Sequence, residues 1–144
     1  DLIVVSDEIY AKLIYEGAEH LSIGSLPGMK ERTVTLNGFS KSYAMTGWRV
    51  GYLAAPADFV RTLTEPRHTL SINASTPGQF AALAALTGPQ DAVAAMLAEY
   101  AERRAYLMRV LIEMGLSYGF PGGAFYIYTN ISATGLQAPA FCET

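Results

Sequence analysis

The chain has 144 residues, suited in length to one ordinary domain, and is 51% hydrophobic and 16% charged. That balance supports a buried core and excludes wholesale disorder. The formal net charge of −3 is spread along the chain, with no basic stripe for nucleic acid, and a single cysteine excludes an internal disulfide or a cysteine-rich metal site.

Leu2 to Val5 is a continuous apolar run, expected to be a strand buried on both faces. It turns acidic at Ser6-Asp7-Glu8, and ligands in open α/β sheets collect beyond such strand ends. Residues 10–32 are punctuated by Gly17, Gly24, Pro27 and Gly28 and read as a connection in which His20 is a loop residue rather than a ligand. Thr33 to Leu36 is the second strand and Val50 to Ala55 the third, stopped by Pro56. Between them, Lys41 to Met45 suits a short helical turn.

Ala57 to Leu63 is expected to be helical, with Pro66 limiting it. Leu70 to Pro77 reads as exposed, and alanine-rich Pro77 to Leu86 as a helix ended by Gly88-Pro89. Gln90 to Met114 carries apolar residues near the 3.6-residue period, from Val93 and Met96 through Leu107 and Leu111, and predicts one long helix capped by Gly115. On it, Tyr100, Tyr106, Met108 and Met114 are assigned to packing. Leu116 to Tyr118 and Ala124 to Thr129 read as strands around Phe120-Pro121-Gly122-Gly123. Pro139 begins the last helix. No signal peptide or membrane-length apolar run is seen, and a soluble, cytoplasmic setting is expected.

The chain is organised around residues 37–52, Asn-Gly-Phe-Ser-Lys-Ser-Tyr-Ala-Met-Thr-Gly-Trp-Arg-Val-Gly-Tyr. Two strands deliver Lys41 and Arg49, the only cations of the stretch, to one loop. A lysine near buried strands is costly unless its amine is neutral, paired or covalently occupied. On residue chemistry alone, two solvated cations on a loop explain the stretch equally well.

Ser40-Lys41 followed by Gly47-Trp48-Arg49-Val50-Gly51-Tyr52 resembles the lysine segment of the class I/II aminotransferases, fold-type I enzymes that use pyridoxal phosphate. Ser6-Asp7-Glu8-Ile9-Tyr10 upstream and Pro121-Gly122-Gly123-Ala124-Phe125-Tyr126 downstream extend the resemblance over essentially the whole chain. The implied fold class is α/β. Residues 1–90 would be the C-terminal part of the large cofactor-binding domain with its mostly parallel sheet, 91–115 the long linking helix, and 116–144 the start of the small domain. Asp1–Val5 begins in a strand and Ala140–Thr144 stops in a helix, so the chain is read as an internal piece of a longer protein.

The resemblance implies roles residue by residue. Lys41 would form the Schiff base and carry protons at the substrate α-carbon. Arg49, with its planar fork of donors, would bind the cofactor phosphate. Asp7 would accept the pyridinium N–H, and Tyr10 would donate to the ring's phenolic oxygen. Ser40, beside Lys41, is a further cofactor-binding candidate. Gly38 stands where the family often has a phosphate-binding serine, and would let the backbone come close. Glu8 is given no role, so Asp7→Ala is expected to slow turnover far more than Glu8→Ala, because only Asp7 would hold the pyridinium charge. Phe125 and Tyr126 are expected to alternate on a strand, one toward the ligand and one into the core. Trp48 would pack beside the site.

The implied reaction is transfer of an amino group between an amino acid and a 2-keto acid, in a homodimer of the full-length protein. Tyr10 leans toward transamination, because related carbon–sulfur lyases often carry histidine there. β-Elimination, decarboxylation and a non-catalytic regulator domain that senses the cofactor remain alternatives. The family's phosphate loop and stacking ring would precede Asp7, and its carboxylate-binding arginine would follow Thr144, so the chain alone is expected to be inactive. No metal, nucleic-acid or membrane partner is implied.

Overall fold

A computed structural model describes residues 2–143; the terminal Asp1 and Thr144, used above in placing the ends, lie outside the described residues. Three strands form the first sheet, in the order β1 (Val4–Asp7), β2 (Thr33–Gly38), β3 (Gly51–Ala54). β1 and β2 run parallel, with Val4 opposite Thr33 and Asp7 opposite Leu36. β3 runs antiparallel to β2, with Gly38 opposite Gly51. The 39–50 connection is built from turns and one 3-10 turn, Thr46–Trp48, without a crossover helix. The chain therefore re-enters the sheet at the end where it left, which forces the antiparallel pair.

The first strand begins later than its apolar run suggested and is not buried on both faces. Its residues alternate between half-buried and exposed, and Val5 is 65% exposed. A strand's side chains point alternately to opposite faces, and only one face of β1 meets this chain.

The packed core lies beneath the 39–50 loop. Phe39 and Val50, at the two ends of that loop, bury themselves with Ala82 of α2 (Thr76–Thr87), and Tyr43, Met45 and Ala85 close over them. Side chains of the size of Phe39 and Val50 each contribute about 1.5–3 kcal/mol when fully buried. Gly78 sits where α2 crosses the loop, and a Cβ there would lie 2.8 Å from Val50 Cγ2. Ser75 caps α2 by accepting from the Gly78 N–H at 3.3 Å.

Helix α1 runs Ala57–Leu70, straight through Pro66, rather than stopping before it. Proline removes one donor and crowds the preceding turn, but this stretch is exposed and water can satisfy the freed carbonyl. Helix α3, Asp91–Glu113, is the predicted long helix, and Gly115 follows it at φ 73°, the left-handed conformation glycine adopts without penalty. α2 and α3 meet at 82°. Gln90 braces that corner, its Nε2 donating to the carbonyls of Ala85 (3.0 Å) and Gly88 (2.8 Å). Tyr106 and Met114, assigned to packing, are each 61% exposed, and Trp48 is 50% exposed.

After α3, β4 (Ser117–Tyr118) and β5 (Thr129–Asn130) pair antiparallel. The strand expected over 124–129 shrinks to its last residue, because the preceding segment is committed elsewhere. Gly123 bridges Ile14, the Tyr15 N–H donates to the Gly122 carbonyl at 3.0 Å, and the Ala124 N–H donates to the Leu13 carbonyl at 2.8 Å. A short helix, α4 (Ala138–Glu143), ends the chain's described part. No single helix among the described residues is long and apolar enough to cross a membrane.

Candidate active site

The sheet topology brings the predicted polar residues to one end. Asp7 closes β1, and Lys41 follows the end of β2, its parallel neighbour. Arg49 lies just before β3, which starts at that same end because it is antiparallel. Carboxyl ends of parallel strands collect ligands because the diverging connections there open a crevice.

Asp7 is exposed, and its Oδ1 accepts the Ile9 N–H at 3.1 Å, the local turn that ends the strand. Tyr10, half-buried, donates its hydroxyl to the Tyr126 hydroxyl at 2.9 Å. Loss of water around the Tyr10 phenol, then the bond to Tyr126 and the nearby Asp7 charge, push its pKa up to about 12. Tyr10 is therefore a neutral donor across the ordinary pH range.

Lys41 is half-buried rather than sealed between strands, and its Nζ lies 5.4 Å from the Phe125 ring centroid. Phe125 in turn meets Tyr10 edge-on at 5.3 Å and 84°. Lys41, Phe125 and Tyr10 thus form one contact chain. Ser40 is half-buried beside Lys41. Arg49 is exposed, its Nη1 donating to the Thr46 carbonyl at 3.0 Å, which leaves further guanidinium donors to meet an anion.

Phe125 and Tyr126 do not alternate. Both reach Tyr10, Tyr126 at 5.7 Å between ring centroids, and neither is core, at 39% and 58% exposed. The reason is the clamp between 13–15 and 122–124, completed by the Tyr15 hydroxyl donating to the Ala124 carbonyl at 2.6 Å. It puts the residues after Ala124 over Tyr10 in a turn, where strand alternation does not apply.

Gly38 lies close against protein backbone: a Cβ there would stand 3.1 Å from Gly51 Cα and from the Val50 carbonyl oxygen, and 3.3 Å from Ile9 Cδ1. Three non-glycine residues among those described have positive φ: Ala44 (54°), Arg49 (53°) and Ala124 (57°). All three flank the cluster, two in the lysine loop and one just before Phe125. Strained backbone of this kind concentrates at functional sites, where surrounding structure holds it in place.

One residue given no role is held from several sides. Glu8 is 8% exposed, and its carboxylate takes Ser22 Oγ (2.7 Å) and Ser6 Oγ (3.1 Å) on Oε1 and His20 Nε2 (3.0 Å) on Oε2. Burial alone would push its pKa up, but the donors Ser22, His20 and Ser6 outweigh it and hold the value below the ordinary 4.5. Asp7 and Glu8 are adjacent at a strand end, so their side chains part to opposite sides. That alternation was the available signal; which of the two faces inward depends on the 18–22 loop, whose position no local pattern reveals.

Comparison with known proteins bears on the whole chain. The family sequence model described as aminotransferase class I and II matches residues 1–144. The chain is 45% identical to an aspartate aminotransferase of Pyrococcus abyssi, covering 99% of this chain and 37% of that protein. It is 45% identical to aromatic-amino-acid aminotransferase 2 of Thermococcus litoralis, with the same coverage. Its backbone superposes on the crystal structure of an aromatic aminotransferase from Pyrococcus horikoshii with a TM-score of 0.95 and 46% identity, over 99% of this chain and 39% of that one. The chain thus spans 37% of the length of these curated relatives.

Proposed function

The chain belongs to the class I and II aminotransferases, and on that premise we propose that the full-length protein carrying it is a pyridoxal-phosphate-dependent aminotransferase. It moves an amino group between an amino acid and a 2-keto acid. Residues 1–90 belong to its large domain, 91–115 to the linking helix and 116–144 to the start of the small domain. The protein works as a cytoplasmic homodimer.

The donor set fits the cofactor. An amine, a carboxylate, a neutral phenol and a guanidinium stand at one end of one sheet. These are the groups that an aldehyde, a ring nitrogen, a phenolate oxygen and a phosphate require. When bound, pyridoxal phosphate supplies the electron sink for the carbanion at the substrate α-carbon.

This chain's residues do the holding and the proton transfer. Lys41 Nζ provides the covalent anchor and, when free, moves the proton at the α-carbon. Asp7 holds the proton on the ring nitrogen. The Tyr10 hydroxyl, kept protonated, donates to the phenolic oxygen. Arg49 grips the phosphate, with Ser40 as an additional donor beside Lys41. The observation that carries the reading is the juxtaposition of Lys41 with Phe125 and Tyr10 at the end where Asp7 closes β1.

Borohydride reduction of the full-length protein with pyridoxal phosphate, followed by peptide mapping, tests it. The label is expected on Lys41, and Lys41→Ala should abolish turnover in a folded protein. Lys12 is a real competitor, its Nζ lying 5.5 Å from the Tyr43 ring centroid in the same loop region. Label on Lys12 or Lys30 instead would overturn the assignment.

A further inference from the structure

Glu8 stands between Asp7 and Tyr10 in sequence and is anchored from three sides. Its side chain carries the three bonds from Ser6, Ser22 and His20. Its N–H donates to the Leu36 carbonyl at 2.8 Å, which carries the β1–β2 pairing one step past Asp7. Its carbonyl accepts the Ala11 N–H at 2.9 Å, which closes the turn holding Tyr10. A carboxylate withdrawn from water and bonded on both oxygens has one favourable position, because any shift leaves a buried charge short of donors.

The residues that clamp it come from two places. Ser6 lies on β1, while His20 and Ser22 lie on the loop that leads toward β2. The carboxylate therefore ties the strand end to that loop. With Glu8 held, the adjacent Asp7 side chain is turned outward, where its Oδ1 meets the Ile9 N–H.

We propose that Glu8 is a positioning residue: its buried carboxylate, clamped by Ser6, Ser22 and His20, fixes where Asp7 and Tyr10 point and so sets cofactor affinity and the electronic state of the bound cofactor. It rests on the function proposed above, and Glu8 acts through its neighbours.

Glutamine at position 8 keeps the shape. Its amide oxygen accepts from both serines, and its NH2 donates to the Nε2 of a neutral His20. Alanine keeps none of this and leaves three polar groups without their partner.

The experiment uses the full-length protein and measures three things. These are the pyridoxal phosphate Kd, the pH midpoint of the bound cofactor's visible absorption, and amide exchange over residues 6–11 without cofactor. Glu8→Gln should stay within about twofold of wild type in Kd, whereas Glu8→Ala should weaken it by roughly ten- to a hundredfold. Glu8→Ala should also displace the absorption midpoint and speed exchange over 6–11. The exposed Glu102→Ala should change none of the three.

If Glu8→Ala fails to fold, the His20→Ala/Ser22→Ala double variant takes its place, with the same direction expected. A folded Glu8→Ala, or the double variant in its stead, with unchanged Kd and midpoint overturns the proposal. Glu8→Gln as damaging as Glu8→Ala also overturns it, since charge and not position would then be what matters. A wild-type protein that takes up no cofactor overturns the functional reading itself, and this proposal with it.

Discussion

The Tyr10 hydroxyl donates to the Tyr126 hydroxyl at 2.9 Å, across 116 residues of sequence. The contact joins the segment after β1 to the segment after α3, and the clamp of 13–15 on 122–124 holds it in register. Arg104 braces that clamp from α3, donating from Nη1 to the Pro121 carbonyl at 3.1 Å with its guanidinium 4.2 Å from the Tyr15 ring centroid. The phenol assigned to the cofactor is thus tied to the second part of the chain, and its chemistry responds to both parts.

Tyr10 should titrate late. Its raised pKa means the neutral phenol is favoured in the folded state. The associated stability is present below about pH 10 and is lost as pH rises through about 12. The ultraviolet titration difference between wild type and Tyr10→Phe should show a step near 12. Tyr126→Phe removes an acceptor of the neutral form and should bring that step down toward 10. A wild-type step already near 10 would refute the coupling.

Asp7→Ala should slow turnover of the full-length protein by an amount equivalent to roughly 1.5–3 kcal/mol, the usual cost of a lost charge-assisted hydrogen bond. Asp7→Glu should recover part of it. The loss should appear in kcat as well as in cofactor affinity, because the proposed role of the carboxylate is to hold the ring nitrogen's proton during the reaction. Turnover unchanged in Asp7→Ala would remove this residue from the site.

Glu8 makes the fold acid-sensitive. Its folded pKa is depressed, so its stabilisation is complete above the ordinary value of 4.5 and disappears as pH falls through the lower folded value. Urea unfolding at neutral pH and again well below pH 4 should show a wild-type loss that Glu8→Gln lacks. Parallel losses in both proteins would show that other carboxyls govern acid unfolding.

Gly38→Ala should destabilise the protein by about 1–3 kcal/mol, the usual range for overpacking. Two of the three atoms its methyl would meet, Gly51 Cα and the Val50 carbonyl oxygen at 3.1 Å, are backbone and cannot rotate away. Thermal unfolding measures it. An unchanged melting temperature would mean that β2 and β3 can part locally without loss.

Much of the scaffold was legible in local pattern. The long amphipathic helix and its Gly115 terminus, the helix over 76–87 and the strand feeding Lys41 all follow from spacing and caps. These are short-range properties: a residue's period, its φ preference and its turn chemistry act within a few neighbours. Pro66 is one exception, since a proline's local veto fails where solvent can take over the lost hydrogen bond.

What the sequence by itself determined, then, is which chemical groups are present and which elements carry them. Only the tertiary structure decided that Glu8 turns inward and Asp7 outward, because the donors on Glu8 arrive from Ser22 and His20 on a separate loop. It also decided that Phe125 and Tyr126 both face Tyr10, because the pairing of Ile14 with Gly123 overrides the alternation their own segment suggests. Such pairings join residues far apart along the chain. Their free energy comes from burial and hydrogen bonds that exist only once both partners are in place.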